Sequence, residues 1–199
     1  EQSVSIITDV ILSDIHRLSR HGNEYKAVFL SLGACAHELV VPNILLYMSG
    51  LEDMQHFNNI LSYFQDISVL HSIVLQDVGD TGWYSMHPLI KDMICTHNDY
   101  SNIYNRRHLE SLASVIMDAV KDDGYSDIMQ CLFPAVNEAM KWGIQANHYL
   151  AIGMPLVVSG EYYKQGNLVE IKYWIEEALE IAKNNKDMEL SVLALKQEQ

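Results

Sequence analysis

Residues 157–187 read VVSGEYYKQGNLVEIKYWIEEALEIAKNNKD and are the most informative stretch of the 199-residue chain. Apolar side chains recur at helical spacing on both sides of the turn formers Gln165-Gly166-Asn167, which indicates two helices joined by a short turn. Gly166 supplies the sharp turn, and the small Ala178 allows the two helices to approach closely. We therefore predict an antiparallel helical hairpin over residues 152–185.

This hairpin resembles a tetratricopeptide repeat (TPR). Residues 162–166 lie where that family ends its first helix and turns. Ile171, Ile175 and Ala178 follow at the spacings with which the family packs its second helix against the first. The family prefers Ala at the position of Ile171 and Gly at the position of Ser159, so the chain departs from the pattern at two positions.

A single hairpin of this kind cannot bury both of its faces, so neighbouring repeats are expected. Residues 107–142 are interpreted as an irregular preceding repeat, with Gly124 at its turn and Ala135 and Ala139 on its second helix. Residues 188–195 are interpreted as the start of a following repeat. A helical bundle with coincidental matches to the repeat is the alternative.

The N-terminal half of the sequence predicts short helices. Apolar periodicity places them over residues 3–18, 25–34, 42–48 and 53–65. Asp53 is the predicted cap of the fourth helix, and Gly50 is predicted to end the third. The predicted inward-facing residues of the fourth helix are Phe57, Ile60, Leu61 and Phe64.

A β-hairpin is predicted after the fourth helix. Residues 68–75 are rich in β-branched side chains, residues 77–82 have turn chemistry, and residues 83–86 form a short aromatic run. Pro88 then starts a helix that runs to about Cys95. Helices followed by a two-stranded wing are in the order of a winged-helix domain.

The end of the wing resembles a second family. Residues 86–90 read MHPLI and are similar to the end of the winged-helix domain in STAND signal-transduction ATPases (the NB-ARC and NOD-like type), where a Met-His dipeptide often precedes the last helix. Residues 29–32, 61–64 and 68–70 also follow in that family's order. TPR repeats commonly follow that domain, so the two resemblances support each other.

The predicted fold class is mainly α, with two domains. Residues 1–98 are predicted to form the winged-helix domain with its one β-hairpin wing, and residues 106–199 the TPR-like helical hairpins. The boundary is predicted near residues 98–105, where polar turn formers cluster. Helices are predicted in the second domain over residues 107–121, 127–142, 146–164 and 168–184.

His87 is the candidate binding residue that the STAND resemblance provides. In that family the corresponding histidine lies against the phosphates of bound ADP and helps to hold the resting state, so the resemblance implies the same contact for His87 in a parent protein. The alternative is that a histidine before a proline caps the helix or bonds a neighbouring carbonyl. The chain has no G-x-x-x-x-G-K-[ST] motif, so the resemblance places the ATP/ADP-binding domain upstream and no cofactor is expected in this chain.

The charge distribution argues against nucleic acid as a partner. Lys and Arg number 13 against 26 Asp and Glu, which gives a net charge of −13, and residues 27–90 contain no Lys or Arg. In a winged helix the recognition helix would be residues 53–65 and the wing residues 69–86, and neither is basic. Because phosphate contacts dominate affinity for DNA, binding through this face is disfavoured. An anionic membrane is repelled in the same way, and no apolar run of about 18 residues predicts a membrane span.

The groupings that could hold a metal are incomplete. Residues 35–38 (CAHE) and the pair Cys95 and His97 offer metal-ligating types, but no second pair at zinc-site spacing completes four ligands. No nucleophile has a motif or a named base beside it. The three cysteines, the last being Cys131, fit free thiols in a reducing cytoplasm. We therefore expect no catalytic residue, no metal and a cytoplasmic location.

These observations together favour a regulatory function. We expect a non-catalytic, protein-interacting segment of a STAND-type signalling ATPase, in which the winged helix couples a nucleotide switch to a TPR sensor. The expected partner is a protein bound through the TPR-like repeats, and self-association is a further option. The alternatives are a small winged-helix DNA-binding transcriptional regulator with a helical dimerisation domain, and a helical-bundle enzyme with a buried metal or cofactor.

Overall fold

A computed structural model of the protein describes residues 10–11, 13, 22–75, 79–119 and 125–184. Within these residues the chain forms eight helices and two strands. The elements are α1 (Gly22–Leu32), α2 (Pro42–Ser49), α3 (Met54–Asp66), β1 (His71–Leu75), β2 (Gly79–Ser85), α4 (Pro88–Thr96), α5 (Asn102–Ala119), α6 (Tyr125–Gln145), α7 (Leu150–Lys164) and α8 (Leu168–Asn184). The prediction of a mainly α fold with one β-hairpin is confirmed at this level.

Three predictions concern residues that lie wholly or mostly outside the described part of the chain. These are the helix over residues 3–18, the turn at Gly124 and the further repeat over residues 188–195. They stay predictions.

The chain divides into two compact units, Glu1–Ser111 and Leu112–Gln199, and the division falls within α5. α5 begins at Asn102, inside the polar stretch near which the domain boundary was predicted. The Ser101 hydroxyl accepts a hydrogen bond from the N–H of Ile103 at 3.3 Å, which is how a capping serine starts a helix. The assignment of residues 1–98 and 106–199 to a winged helix and to TPR repeats stays a prediction.

α3 follows its prediction closely. The Asp53 carboxylate accepts hydrogen bonds from the N–H groups of Gln55 and His56 at 2.9 and 3.1 Å, and so caps the helix. Gly50 ends α2 in the left-handed conformation, with φ 75°. The inward face of α3 consists of the four predicted residues Phe57, Ile60, Leu61 and Phe64, all of which are buried.

The core of the first unit forms around these side chains. α1 packs against α2 and α4, and α2 contacts β2. The largest fully buried side chains of this unit are Phe29, Leu32, Ile44, Leu45, Met48, Phe57, Ile60, Phe64 and Leu70. Arg107 of α5 donates a hydrogen bond from Nη1 to the carbonyl of Met48 at 3.0 Å, near the end of α2.

The β-hairpin is antiparallel; its first strand is shorter than predicted and its second strand is longer. Its register pairs His71 with Ser85 and Ile73 with Trp83. Residues 79–82 were predicted as turn, but they belong to β2, so that prediction was wrong. Pairing continues past Trp83 to the Leu75–Gly79 pair through a register irregularity, and cross-strand pairing outweighs local turn propensity there.

The second unit contains the predicted hairpin. α7 and α8 are joined by residues 165–167, and Gly166 has φ 86°, a conformation that favours glycine. α6 packs against both helices. The helices predicted for this part of the chain are present, with α7 starting at Leu150, a few residues later than predicted.

Candidate protein-interaction surface

One side of the α7–α8 hairpin is covered by α6 through aromatic contacts. The ring of Phe133 on α6 lies 4.9 Å from the ring of Tyr162 on α7 and 5.9 Å from that of Trp174 on α8, measured between centroids. Tyr162 and Trp174 are themselves 6.1 Å apart, edge to face. Ala178 lies on the same buried face of α8 and is 1% exposed. This side of the hairpin is a packed core.

A second side of the hairpin carries an open groove, here called the hairpin groove. Its first part has a volume of about 400 Å³ and is lined by Leu156, Val157, Ser159, Gly160, Tyr163, Ile171 and Ile175. Its second part has a volume of about 470 Å³ and is lined by Tyr163, Leu168, Ile171, Lys172, Ile175 and Glu176. Most of these side chains are apolar, as in surfaces that bind protein or small apolar groups.

Apolar side chains are also exposed along α8 and at the tip of the hairpin. Val169 is 79% exposed, Leu168 51% and Tyr173 46%, and Tyr163 at the end of α7 is 67% exposed. Single exposed apolar residues are ordinary, whereas several on one helix mark a contact surface.

Charged side chains lie among these apolar residues. On α8 the ammonium of Lys172 is 3.8 Å from the carboxylate of Glu176, with side chains 76% and 57% exposed. Glu176 and Glu180 are exposed, whereas Glu170 and Glu177 are half-buried. An exposed pair one helical turn apart contributes only a few tenths of a kcal/mol, about 0.3–0.5 kcal/mol. The pair therefore costs little to rearrange.

His87 caps α4. Its Nδ1 accepts a hydrogen bond from the N–H of Leu89 at 3.2 Å, and its backbone is extended, as it is in an N-cap residue. The side chain is exposed, next to the first turn of the helix. This contact agrees with the alternative interpretation from the sequence, in which the histidine before Pro88 caps the helix. The ADP contact concerns a parent protein and stays a prediction.

The grouped metal-ligating residues of the sequence are mostly dispersed. The Cys35 thiol is buried and donates to the carbonyl of Ser31 at 3.7 Å, while the Cys95 thiol donates to the carbonyl of Gly33 at 3.2 Å. Within residues 35–38, the side chains of His37 and Glu38 do contact each other, with Nδ1 of His37 3.1 Å from the carboxylate of Glu38. His97 instead accepts a hydrogen bond from the N–H of Asp99, and Cys131 is half-buried. Within the described residues no group of three or more His, Cys, Asp and Glu side chains is placed to hold a metal ion.

The sequence analysis missed a buried histidine in α5. His108 is 2% exposed, and its Nδ1 has no hydrogen-bond partner among the described residues. The pKa of His108 is lowered to about 3, mainly by burial and also by nearby Lys91, although a hydrogen bond with the backbone of Ala34 acts in the opposite direction. The signal was its spacing, since His108 lies one helical turn before the buried Leu112.

Tyr100 lies against Gly33, the residue that directly follows α1. Its ring occupies the space that a side chain at Gly33 would need, because a Cβ built on Gly33 would lie 2.6 Å from Cε2 of Tyr100. Burial raises the pKa of the Tyr100 hydroxyl well above its usual range, and the neighbouring Cys95 adds to the shift. This contact joins residues far apart in the sequence, so no local pattern indicated it.

Comparisons of the chain with protein-family models, with curated proteins and with solved structures found no match. No helix among the described residues combines the length and the apolar character that crossing a bilayer requires. The function is therefore inferred from the surfaces described above and from the two sequence resemblances.

Proposed function

We propose that the chain is a non-catalytic regulatory and protein-interaction segment of a STAND-type signalling ATPase that acts in the cytoplasm. The observation that carries this proposal is the α7–α8 hairpin, which has one packed side and one open apolar side. A surface of this kind supports binding of a protein partner. The order of helices, β-hairpin and helical hairpins agrees with a winged helix followed by TPR repeats.

In this proposal the first unit transmits a signal and the second receives it. A partner that binds the hairpin groove better in one state of the parent protein shifts the equilibrium toward that state. His87 of the parent protein lies against the phosphates of ADP in the resting state. Its imidazole, at the start of α4, is placed beside N–H groups that also favour an anion.

His87 provides the test, because two substitutions separate its two roles. His87→Ala removes both the imidazole and the cap, whereas Asn caps a helix well but lacks the imidazole. If His87 holds ADP, both variants of the parent ATPase should release ADP faster and raise its basal activity. His71→Ala, another exposed histidine of the same unit, is the control and should change neither quantity.

The same variants have a different outcome if His87 is only a cap. His87→Ala should then lower the free energy of unfolding by about 1 kcal/mol, His87→Asn should leave it unchanged, and ADP release should be normal in both. Normal ADP release in both variants would contradict the proposed role.

The DNA-binding alternative receives no support from the described surface. α3 and the stretch of sequence around it, residues 27–90, contain no Lys or Arg, and exposed acidic residues such as Glu52 and Asp53 lie beside the helix. Retention of duplex DNA at physiological salt would favour this alternative over the proposal. A stoichiometric transition metal in the purified protein would favour the enzyme alternative over the proposal.

A further inference from the structure

We propose that two copies of this chain associate through α7, with the two helices antiparallel and in close contact about a two-fold axis. In this arrangement α7 of a second copy lies in the first part of the hairpin groove. This self-association does not depend on the resemblance to signalling ATPases, and the ADP-release test of His87 does not depend on self-association.

α7 is apolar around nearly its whole circumference, since Ser159, Glu161, Lys164 and two tyrosines are its only polar residues. A helix of this kind is normally covered on every side. α6 and α8 pack against α7 and cover two of its sides. The remaining side, here called the outer face, consists of half-buried or exposed residues at spacings of three and four, namely Tyr149, Gly153, Leu156, Val157, Gly160, Tyr163 and Lys164.

Two glycines of the outer face allow a second helix to come close. Glycine inside a helix is unfavourable relative to other residues, so its presence there indicates another role. In the described part of the chain no heavy atom lies within 4 Å of a Cβ built on Gly153 or Gly160. Neither glycine therefore makes room for a neighbour within the chain, in contrast to Gly33. Small residues at a helix contact shorten the distance between the two helix axes.

The symmetry of the outer face identifies a second copy as the occupant. Gly153 and Gly160 lie equally far on either side of the midpoint between Leu156 and Val157. A two-fold axis through this midpoint places each Gly153 opposite the partner's Gly160, with no side chain between the two backbones. Because a two-fold interface joins one patch to itself, this symmetry is what self-association requires, whereas a different protein would not need it.

The larger side chains of the outer face also meet suitable neighbours in this register. Leu156 and Val157 of the two copies form an apolar centre between the two glycine contacts. Each Tyr149 lies at the level of the partner's Lys164 and next to the partner's Tyr163. A tyrosine ring packs well against another ring or an ammonium group. Tyr149 and Tyr163 are 62% and 67% exposed in the single chain, so their burial favours association.

The hairpin groove extends this interface onto α8. Leu156, Val157 and Gly160 line the first part of the groove, and its opposite wall is formed by Ile171 and Ile175 of α8. A helix that packs closely on the outer face of α7 therefore also covers this apolar wall.

The charge on the outer face does not oppose the contact, although the net charge of the chain is −13. No residue of the outer face is acidic. The one acidic residue of α7, Glu161, is 8% exposed and lies 3.1 Å from the ammonium of Lys164. Repulsion between the acidic surfaces farther away is screened beyond about 10 Å at an ionic strength of about 0.1 M, so added salt should strengthen the dimer.

Sedimentation of the full chain over the micromolar concentration range tests the dimer. The natural chain should associate as its concentration rises. Gly160→Leu should weaken the dimer by about tenfold or more, because the new side chain holds the two helix backbones apart. Gly153→Leu should have the same effect, since the partner's Gly160 lies opposite Gly153.

A matched control separates this effect from a general effect of an added leucine. Gly153→Leu and Gly160→Leu each place a side chain where the single chain has open space, so circular dichroism should show unchanged helical content. Asn59→Leu adds the same side chain at an exposed position of α3 without a change of charge. It should leave dimerisation unchanged.

Disulfide formation tests the register. In a chain carrying Cys95→Ser, which removes an exposed thiol, Val157→Cys should link two copies under mild oxidation, because the two-fold axis brings the two positions 157 together. Val169→Cys is the control. Val169 is 79% exposed but lies on α8 away from the axis, so its thiols should link slowly.

Any one of three results would overturn the proposed dimer. They are a natural chain that stays monomeric over the whole range, a Gly160→Leu chain that associates as tightly as the natural chain, and a Val157→Cys chain that links no faster than Val169→Cys.

Discussion

His108 shows how strongly one side chain can tie the stability of this protein to pH. Its pKa is about 3 in the folded chain and about 6.5 when unfolded, so below pH 6.5 the unfolded chain binds the proton more readily. The stability that the neutral imidazole provides is therefore fully present above pH 6.5 and is lost as the pH falls from 6.5 to about 3.

This linkage predicts a loss of up to about 1.4 kcal/mol of unfolding free energy per pH unit within that window. Denaturant unfolding at pH 7 and pH 5 measures it. His108→Leu should reduce the change of unfolding free energy per pH unit by that amount, whereas His71→Gln, at an exposed position, should leave it unchanged. Parallel pH profiles for the natural chain and His108→Leu would contradict the prediction.

Gly33 is predicted to tolerate no side chain. A Cβ there would lie 2.6 Å from the ring of Tyr100 and 2.8 Å from Cγ2 of Ile94, so Gly33→Ala should destabilise the chain by about 1–3 kcal/mol. Thermal unfolding measures this. Gly160→Ala is the control: nothing lies within 4 Å of its Cβ position, in the interior of α7, so that change should be stabilising by about 0.5–1 kcal/mol.

If close packing against Tyr100 is the cause, a smaller neighbour in place of the ring should relieve it. Tyr100→Leu should recover part of the stability that Gly33→Ala loses, because the two changes act on one contact. If the losses of stability in Gly33→Ala and Tyr100→Leu simply add in the double variant, the contact between Gly33 and Tyr100 is not the cause of the destabilisation.

At the scale of elements, the hairpin depends on the small residue at position 178. Ala178 is 1% exposed on the buried face of α8, so Ala178→Trp introduces an indole where the core has no space. We expect a loss of about 1–3 kcal/mol or more, seen as a lower melting temperature by far-ultraviolet circular dichroism.

Lys183→Trp adds the same side chain to an exposed position of α8 and should change stability by less than about 0.5 kcal/mol. If Ala178→Trp melts within a degree or so of the natural chain, α8 is not packed as described.

At the scale of the whole molecule, much of the element order could be predicted from local patterns. α3 was predictable because its cap, Asp53, and its four apolar positions are encoded within one short segment. The turn at Gly166 was predictable for the same reason. These features depend on neighbours in sequence, which periodicity and turn chemistry describe well.

The features that were missed depend on residues distant in sequence. Residues 79–82 have turn composition, yet pairing with β1 makes them strand. His108 is polar by type, but the packing of α5 buries it. The exposure of Val169 and Tyr173 beside the charged side chains of α8 became evident only with the helix in position.

The aromatic contact between α6, α7 and α8 gives the second unit its own optical signal. Trp174 is 1% exposed, so its fluorescence arises from an apolar environment and shifts to longer wavelength when water reaches the ring. Tyr162, 6.1 Å away, transfers its excitation to this indole most efficiently while the helices are assembled. With the other two tryptophans, Trp83 and Trp142, replaced by Phe, assembly of the three helices can be followed from the emission of Trp174, without an added dye.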